Sequence, residues 1–454
     1  MNQYDAIIVG FGKGGKTLAA DLAAQGQTVA LVERSAMMYG GTCINVGCIP
    51  SKSLVRSALA SAQQPELDFA QKRALYTAAV AEKRRLTAML RQKNYDKLNA
   101  LPNVTIFTGS GSFEDAHSLR VRTADGETVI RGMRIFINTG SRSVEPPIAG
   151  LADNPLVYYS DTLMALTALP ARLAIIGGGY IGLEFAAMYA NFGAEVTVLQ
   201  DGDVLIPRED EDISSAIKQA LAAKGVHFLL GAAIERVETA QGQATIHYRR
   251  HEQEATLSAD AVLVATGRRP NTDGLAPEAA GVDMTPRGAV QVDAHLHTSV
   301  PHIWAMGDVT GGLQFTYVSL DDYRIIRAQL AGETYNAVQR KNVPYSVFID
   351  PPFSRVGLNE KEALAAGHRV KIARLPAAAI PKAQVLKQTT GQLKAVIDAD
   401  TDKILGAMLF CEESYEMINT VKLAMDLDAD YRVLRDQIFT HPTMSEALND
   451  LFNL

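Results

Sequence analysis

Cysteine is scarce in this chain. Three residues in 454 are too few for the disulfide framework of a secreted domain, and two of them, Cys43 and Cys48, lie close together, which favours redox chemistry. Basic charge is not in excess either. Lys and Arg total 44 against 50 Asp and Glu, a net charge of −6, so no positive field draws phosphate backbones and nucleic acid is not an expected partner. No apolar run is long enough to span a bilayer, so no membrane partner is expected. The opening Met1-Asn2-Gln3-Tyr4-Asp5 runs straight into Ala6-Ile7-Ile8-Val9; this leaves no room for a targeting segment and predicts a cytoplasmic protein. No second Cys/His cluster completes a metal site, and none is predicted.

What is present is a nucleotide-binding grammar written twice, in a chain too long for one core. The first copy is an apolar strand, then Gly10-Phe11-Gly12-Lys13-Gly14-Gly15, a helix, and Val29-Ala30-Leu31-Val32 ending at Glu33. Gly10 makes the tight turn, Gly12 lets a pyrophosphate approach the backbone, Gly15 packs helix on strand, and Glu33 accepts ribose hydroxyls. In the second copy, Gly177, Gly179 and Gly182 of Gly177-Gly178-Gly179-Tyr180-Ile181-Gly182 take the same roles, and the following strand ends in Gln200-Asp201. Asp201 would repel a 2'-phosphate, which favours NADH and leaves NADPH open. Residues 51–100 read as helical, with Lys83, Arg84, Arg85, Arg91 and Lys93 on a solvated face. From Asn342 the pattern becomes strands with two helices. The expected fold class is α/β: two Rossmann-like dinucleotide-binding domains plus a C-terminal α+β dimerisation domain.

The segment Gly40-Gly41-Thr42-Cys43-Ile44-Asn45-Val46-Gly47-Cys48-Ile49-Pro50-Ser51-Lys52 is the most specific in the chain. Pro50 marks a first helical turn, which puts Cys48 at a helix N-terminus where the helix field favours a thiolate. Lys52 follows one turn later on the same face. Cys411 reads as a buried core thiol. His295 and His297 alternate along an expected strand; they read as surface histidines rather than as a copper site.

Together these motifs resemble the flavoprotein disulfide reductases, the family of lipoamide dehydrogenase, glutathione reductase and mercuric reductase, over essentially the whole chain. The resemblance implies FAD on the first glycine unit and NADH or NADPH on the second. It implies a discontinuous FAD-binding domain, residues 1–150 and 268–338, an inserted NAD(P)H-binding domain, 151–267, and a dimerisation domain, 339–454. Ile137-Asn138-Thr139-Gly140 and Val264-Ala265-Thr266-Gly267 resemble the crossovers that bracket the insertion, so Gly140 and Gly267 join Thr42 among the expected cofactor-binding residues. Ile303-Trp304-Ala305-Met306-Gly307-Asp308 resembles the strand whose Asp holds the FAD ribityl chain. Glu184 matches the family glutamate that pairs with the flavin-adjacent lysine, here Lys52, and Tyr180 the aromatic that covers the nicotinamide pocket. His441-Pro442-Thr443-Met444-Ser445-Glu446 resembles a His–Glu dyad that serves the cysteine pair of the other subunit. A homodimer is implied.

Departures narrow the family. The sequence ends without the C-terminal cysteine pair of mercuric reductases and large thioredoxin reductases, and it keeps His441, so neither activity is expected. Residues 309–324 replace a family Ala-His helix start, and with Asn342-Val343-Pro344-Tyr345-Ser346-Val347-Phe348 they resemble a subgroup associated with hypothiocyanous acid and Cu(II) reduction under oxidative stress. The expected path runs from nicotinamide through FAD to the Cys43–Cys48 disulfide, with Cys48 on the flavin side. From Cys43 it passes to a small oxidant, with His441, oriented by Glu446, as acid–base partner. The alternatives are dihydrolipoamide dehydrogenase, which His441-Pro442-Thr443 supports, and a non-catalytic flavin redox sensor.

Overall fold

The structure, a computed structural model, describes residues 2–454. The apolar strand Val29–Glu33 is buried along its whole length, as a strand covered on both faces of a parallel sheet must be. It pairs in parallel with Asn2–Val9, which pairs in turn with Gly126–Ile137. Val104–Phe113 and Ile303–Ala305 extend this sheet at its two sides. The chain therefore leaves the sheet, builds a second module, and returns to it.

That second module is a parallel sheet in the order Val226–Leu230, Glu195–Gln200, Arg172–Ile176, Ala261–Val264, Val157–Tyr158, with a three-stranded antiparallel sheet over residues 232–259. Ser141–Ser143 and Arg268–Pro270 pair antiparallel, so the outgoing and returning connections run side by side, flanked by Gly140 and Gly267. The C-terminal module is an antiparallel sheet ordered Tyr345–Val347, Phe353–Gly357, Ile404–Phe410, Gln392–Asp398, Val370–Pro376. Cys411 is fully buried there, its Sγ 3.8 Å from Met417 Sδ. One continuous apolar cluster joins Leu54 and Tyr76 of the helices Cys48–Ala62 and Phe69–Asn99 to Tyr189 of the second module and to Phe353 and Phe410 of the third. Shared packing of this kind fixes the modules around the space between them. Among the described residues no helix is long and apolar enough to cross a membrane.

Two local expectations fail. The basic face of Phe69–Asn99 is only partly solvated: Lys83 is buried and donates to the Met164 carbonyl at 2.7 Å, and Arg84 donates to the Ala165 carbonyl at 2.8 Å. Arg91 donates to Asn45 Oδ1 at 3.2 Å. The helix lies across the second module and against the cysteine segment, so Lys83 and Arg91 are drawn in, whereas Arg84, Arg85 and Lys93 are exposed and match the solvated reading. His295 and His297 are not on a strand. Asp293 Oδ1 accepts both of their backbone N–H groups, at 2.8 and 2.9 Å, and this Asx-type bonding folds the segment into a turn. Both histidines are half-buried.

Candidate functional site

A cleft of about 2380 Å³ opens between the modules, lined by the first glycine turn, Glu33, Thr42, both cysteines, Lys52, Gly140, Tyr180, Glu184 and Asp308. The first turn is built by close approach. At Gly10, φ is +108° and an added Cβ would lie 2.2 Å from the Asn138 carbonyl oxygen; at Gly177, φ is +110° and the distance to the Ala265 carbonyl oxygen is 2.7 Å. Neither position admits a side chain. A Cβ at Gly15 would meet the Gly10 carbonyl at 2.6 Å, and one at Gly182 the Gly177 carbonyl at 2.0 Å, so each helix packs directly on its own turn. Gly179 faces open space.

Polar groups hold the first turn in place. Asn138 Oδ1 accepts the Gly15 N–H at 3.0 Å while its Nδ2 donates to the Met306 carbonyl at 2.7 Å, which ties the turn to the strand that delivers Asp308. Glu33 Oε2 accepts the Phe11 N–H at 3.0 Å. Burial pushes the Glu33 carboxyl up, against the pull of the Phe11 and Ser35 N–H groups. Asp308, also raised by burial, accepts from Ser141 Oγ at 2.6 Å, and Arg268 Nε donates to that same Oγ at 3.0 Å. At the second turn Gln200 stands where Glu33 stands in the first. Its Oε1 accepts the Gly178 N–H at 2.7 Å, and its Nε2 donates to Asp201 Oδ1 at 2.6 Å. An open glycine cradle with a carboxylate at its rim and a second carboxylate on the cleft wall fits a flavin dinucleotide.

Cys43 lies in the short helix Thr42–Asn45, and Cys48 begins Cys48–Ala62. All three cysteines are free thiols. The Cys43 thiol is pushed down to about 6, chiefly by the hydrogen bond it receives from Cys48, with Thr316, Lys16 and Lys52 adding to this against burial. Cys48 moves the other way, because it holds the shared proton, is desolvated, and faces the Cys43 charge. The two thiols share one proton and titrate as a pair, beside the helix terminus at Cys48 and the Lys52 charge. Thr316 Oγ1 is 3.8 Å from Cys48 Sγ.

Lys52 Nζ binds both Glu184 oxygens, at 2.8 and 2.9 Å, and lies 4.6 Å from the centre of the Phe348 ring. The Phe348 N–H completes the carboxylate at 2.8 Å. Lys16, pushed down to about 8 mainly by burial, donates to Asn94 Oδ1 at 2.7 Å and to the Gly40 carbonyl at 3.3 Å. His441 Nδ1 lies 2.8 Å from Glu446 Oε2, and the His441 side chain is 71% exposed. The dyad is formed, but it lies outside the cleft of its own chain, as do Gly177, Gly179, Gly182 and Gly267. Sequence reasoning passed over Thr316, Phe348 and Lys16 as site residues. Each acts through a contact with a distant segment, and no local spacing marks it.

A scaffold with two glycine turns, and a thiol pair in the cleft beside the first of them, defines a class of flavoprotein reductase. Residues 4–322 match the family described as pyridine nucleotide-disulphide oxidoreductase, and residues 343–452 match its dimerisation domain. The chain belongs to that family: it is an FAD-containing, NAD(P)H-dependent disulfide oxidoreductase that forms a homodimer. It is 50% identical, over 100% of both chains, to the probable pyridine nucleotide-disulfide oxidoreductase RclA of Escherichia coli K12. It is 34% identical to a mercuric reductase of Staphylococcus aureus, covering 98% of this chain and 81% of that protein. A dihydrolipoyl dehydrogenase of Bacillus subtilis is also 34% identical, with 99% and 97% covered. Among solved structures, the HOCl-induced flavoprotein disulfide reductase RclA from Escherichia coli superposes with a TM-score of 0.93 over 99% of this chain and 100% of that one, at 50% identity. Its Cu(II) complex superposes with a TM-score of 0.94 at the same identity, over 100% and 99%.

Proposed function

We propose that this protein uses NAD(P)H to reduce a small thiol-reactive oxidant, hypothiocyanous acid, at Cys43 in defence against oxidative stress. The observation that carries this reading is the Cys43 thiol, ionised near neutral pH at the wall of an open cleft; a thiolate is the nucleophile, and a small electrophile needs little more than access to it. The remaining cysteine, Cys411, is buried and held up by burial, so it offers no further thiol to relay a metal. The 50% identical Escherichia coli relative is described as HOCl-induced, which supports the same setting here.

In the proposed reaction the Cys43 thiolate attacks the sulfur of hypothiocyanous acid. An S–S bond forms, the S–O bond breaks, and hydroxide leaves as water after taking a proton, which the partner subunit's His441 supplies with Glu446 orienting its ring. Cys48 then passes its proton to that same, now neutral, His441 of the partner subunit and attacks Cys43 Sγ, which expels thiocyanate and closes the disulfide. When bound, FAD would supply the two-electron chemistry that links NAD(P)H to that disulfide. Thr42, Glu33, Gly140 and Asp308 would hold the flavin, and Gly177, Gly179, Tyr180, Gly182 and Gly267 would place the nicotinamide nucleotide. Lys52, held by Glu184, keeps a positive charge beside the pair.

Cu(II) as acceptor is a second reading. Cu(II) complexes of the Escherichia coli relative include one of its C43S variant, so copper binding there does not need that thiol. Among the described residues here no group of three or more His, Cys, Asp or Glu is arranged to hold a metal ion. The test is NADH and NADPH oxidation with hypothiocyanous acid, Cu(II), dihydrolipoamide's oxidised form and glutathione disulfide in parallel. Hypothiocyanous acid turnover is expected to fall by on the order of 10³ in Cys43→Ser, while Cu(II) reduction persists. Efficient turnover of either disulfide with negligible reduction of hypothiocyanous acid would overturn the proposal.

A further inference from the structure

Glu209 precedes the helix Glu211–Ala223 and its side chain is 0% exposed. A buried carboxylate is retained only where hydrogen bonds replace its water, and two of the three groups that replace it here, Tyr180 and Tyr345, line the cleft. Glu209 Oε1 accepts the Tyr180 hydroxyl at 2.5 Å and the Tyr345 hydroxyl as well. Its Oε2 accepts Arg355 Nη1 at 3.3 Å. The two phenol oxygens are 3.2 Å apart and the ring centres 5.5 Å apart. Burial and the Glu209 charge hold both phenols well above their usual range, so both remain donors.

These groups come from separate modules. Tyr180 is the first residue of the helix Tyr180–Asn191, directly after the second glycine turn; Tyr345 and Arg355 are on strands of the C-terminal sheet. One helical turn beyond Tyr180, Glu184 grips Lys52, which is itself one turn beyond Cys48. A molecule that lies on the second glycine turn and extends to the cysteine pair must pass the Tyr180 ring. With a free hydroxyl that ring swings about χ1; anchored to a buried carboxylate, it does not.

We infer that Glu209 is a latch that holds Tyr180 across the passage from the second glycine turn to the cysteine pair, so that a reduced nicotinamide nucleotide must break the Tyr180–Glu209 bond to reach it. Glu209 acts through Tyr180 and is a positioning residue. Tyr345 and Arg355 fix the latch to the C-terminal module, which makes passage depend on how the modules pack. The inference uses only the family's nucleotide-dependent reduction and is independent of which oxidant is the substrate.

The test is anaerobic stopped-flow reduction of the FAD-loaded dimer by NADH and by NADPH, with no oxidant present. In Tyr180→Phe the half-saturating nucleotide concentration is expected to fall about tenfold, the gain from losing one charge-assisted bond that opposes binding. In Glu209→Gln it should fall about threefold, because the amide keeps an acceptor but not the charge. In both, half-saturation should move more than the limiting rate, a split that general loss of stability does not produce. The double variant should bind no more tightly than Tyr180→Phe alone, since both changes remove the same bond. Half-saturation that is unchanged or raised in Tyr180→Phe, or effects that add, would overturn the latch. Should Glu209→Gln fail to fold, Tyr180→Phe decides alone, because it removes one oxygen atom and keeps the ring.

Discussion

The two glycine turns share a backbone and differ at the rim. Gly10 and Gly177 take nearly the same φ, +108° and +110°, each pressed against a carbonyl oxygen of a crossover segment. The rim residue accepts a turn N–H in both, Phe11 to Glu33 and Gly178 to Gln200. In the first turn that residue is a buried carboxylate, with lone pairs left for hydroxyl donors. In the second it is an amide whose NH2 already reaches Asp201. The cradle is thus set by sterics that any dinucleotide needs, and the choice of dinucleotide is left to the rim and to the walls beyond it.

Removing the cradles separates the two sites most sharply. Gly10→Ala puts a Cβ 2.2 Å from a backbone oxygen, an atom that cannot rotate away, and is expected to destabilise the fold by more than about 3 kcal/mol and to yield colourless protein. Gly177→Ala meets its carbonyl at 2.7 Å in the module proposed above to hold the nicotinamide nucleotide rather than the flavin. It should purify yellow and fail to bleach on anaerobic NADH addition. Flavin absorbance after gel filtration checks the first outcome and the NADH titration the second. A Gly10→Ala protein with full flavin content would break the comparison.

The features legible in the sequence were those set by local spacing. The glycine turns, Pro50 after Cys48, and the one-turn offset to Lys52 follow from backbone geometry within a few residues. The pairing of Lys52 with Glu184 came from family resemblance, since nothing in either segment points to the other. Glu209 gave no signal, because its importance lies in hydroxyls from Tyr180 and Tyr345 that only tertiary packing brings to it. Lys83 was misread for the same reason: its acceptor, the Met164 carbonyl, lies 81 residues away.

A smaller effect should come from exchanging the rim chemistry. Gln200→Glu sets a carboxylate beside Asp201 and leaves the glycine cradle unchanged. The ratio of kcat/KM for NADH to that for NADPH is expected to rise about tenfold, as a second negative charge meets the 2'-phosphate. The ratio is measured by flavin reduction with each nucleotide over a range of concentrations. A ratio that stays level or falls would place nucleotide choice away from this rim.

The smallest effect expected is in the pH dependence of stability, and it too distinguishes the two rims. Burial raises the Glu33 carboxyl above its ordinary 4.5, so between that value and its raised one the folded chain binds more protons than the unfolded chain. Stability then falls as pH rises through this window and levels off above it. Gln200 does not titrate, so the second rim contributes no such slope. In flavin-stripped protein unfolded by urea, wild type should lose stability relative to Glu33→Gln as pH rises above 4.5. Asp308, raised by the same cause, keeps its own contribution in both proteins and cancels from the difference. A difference that stays flat across the window would mean that the Phe11 and Ser35 N–H groups fully offset the burial of Glu33. The two rims would then differ in shape and hydrogen bonding but not in the cost of holding a charge.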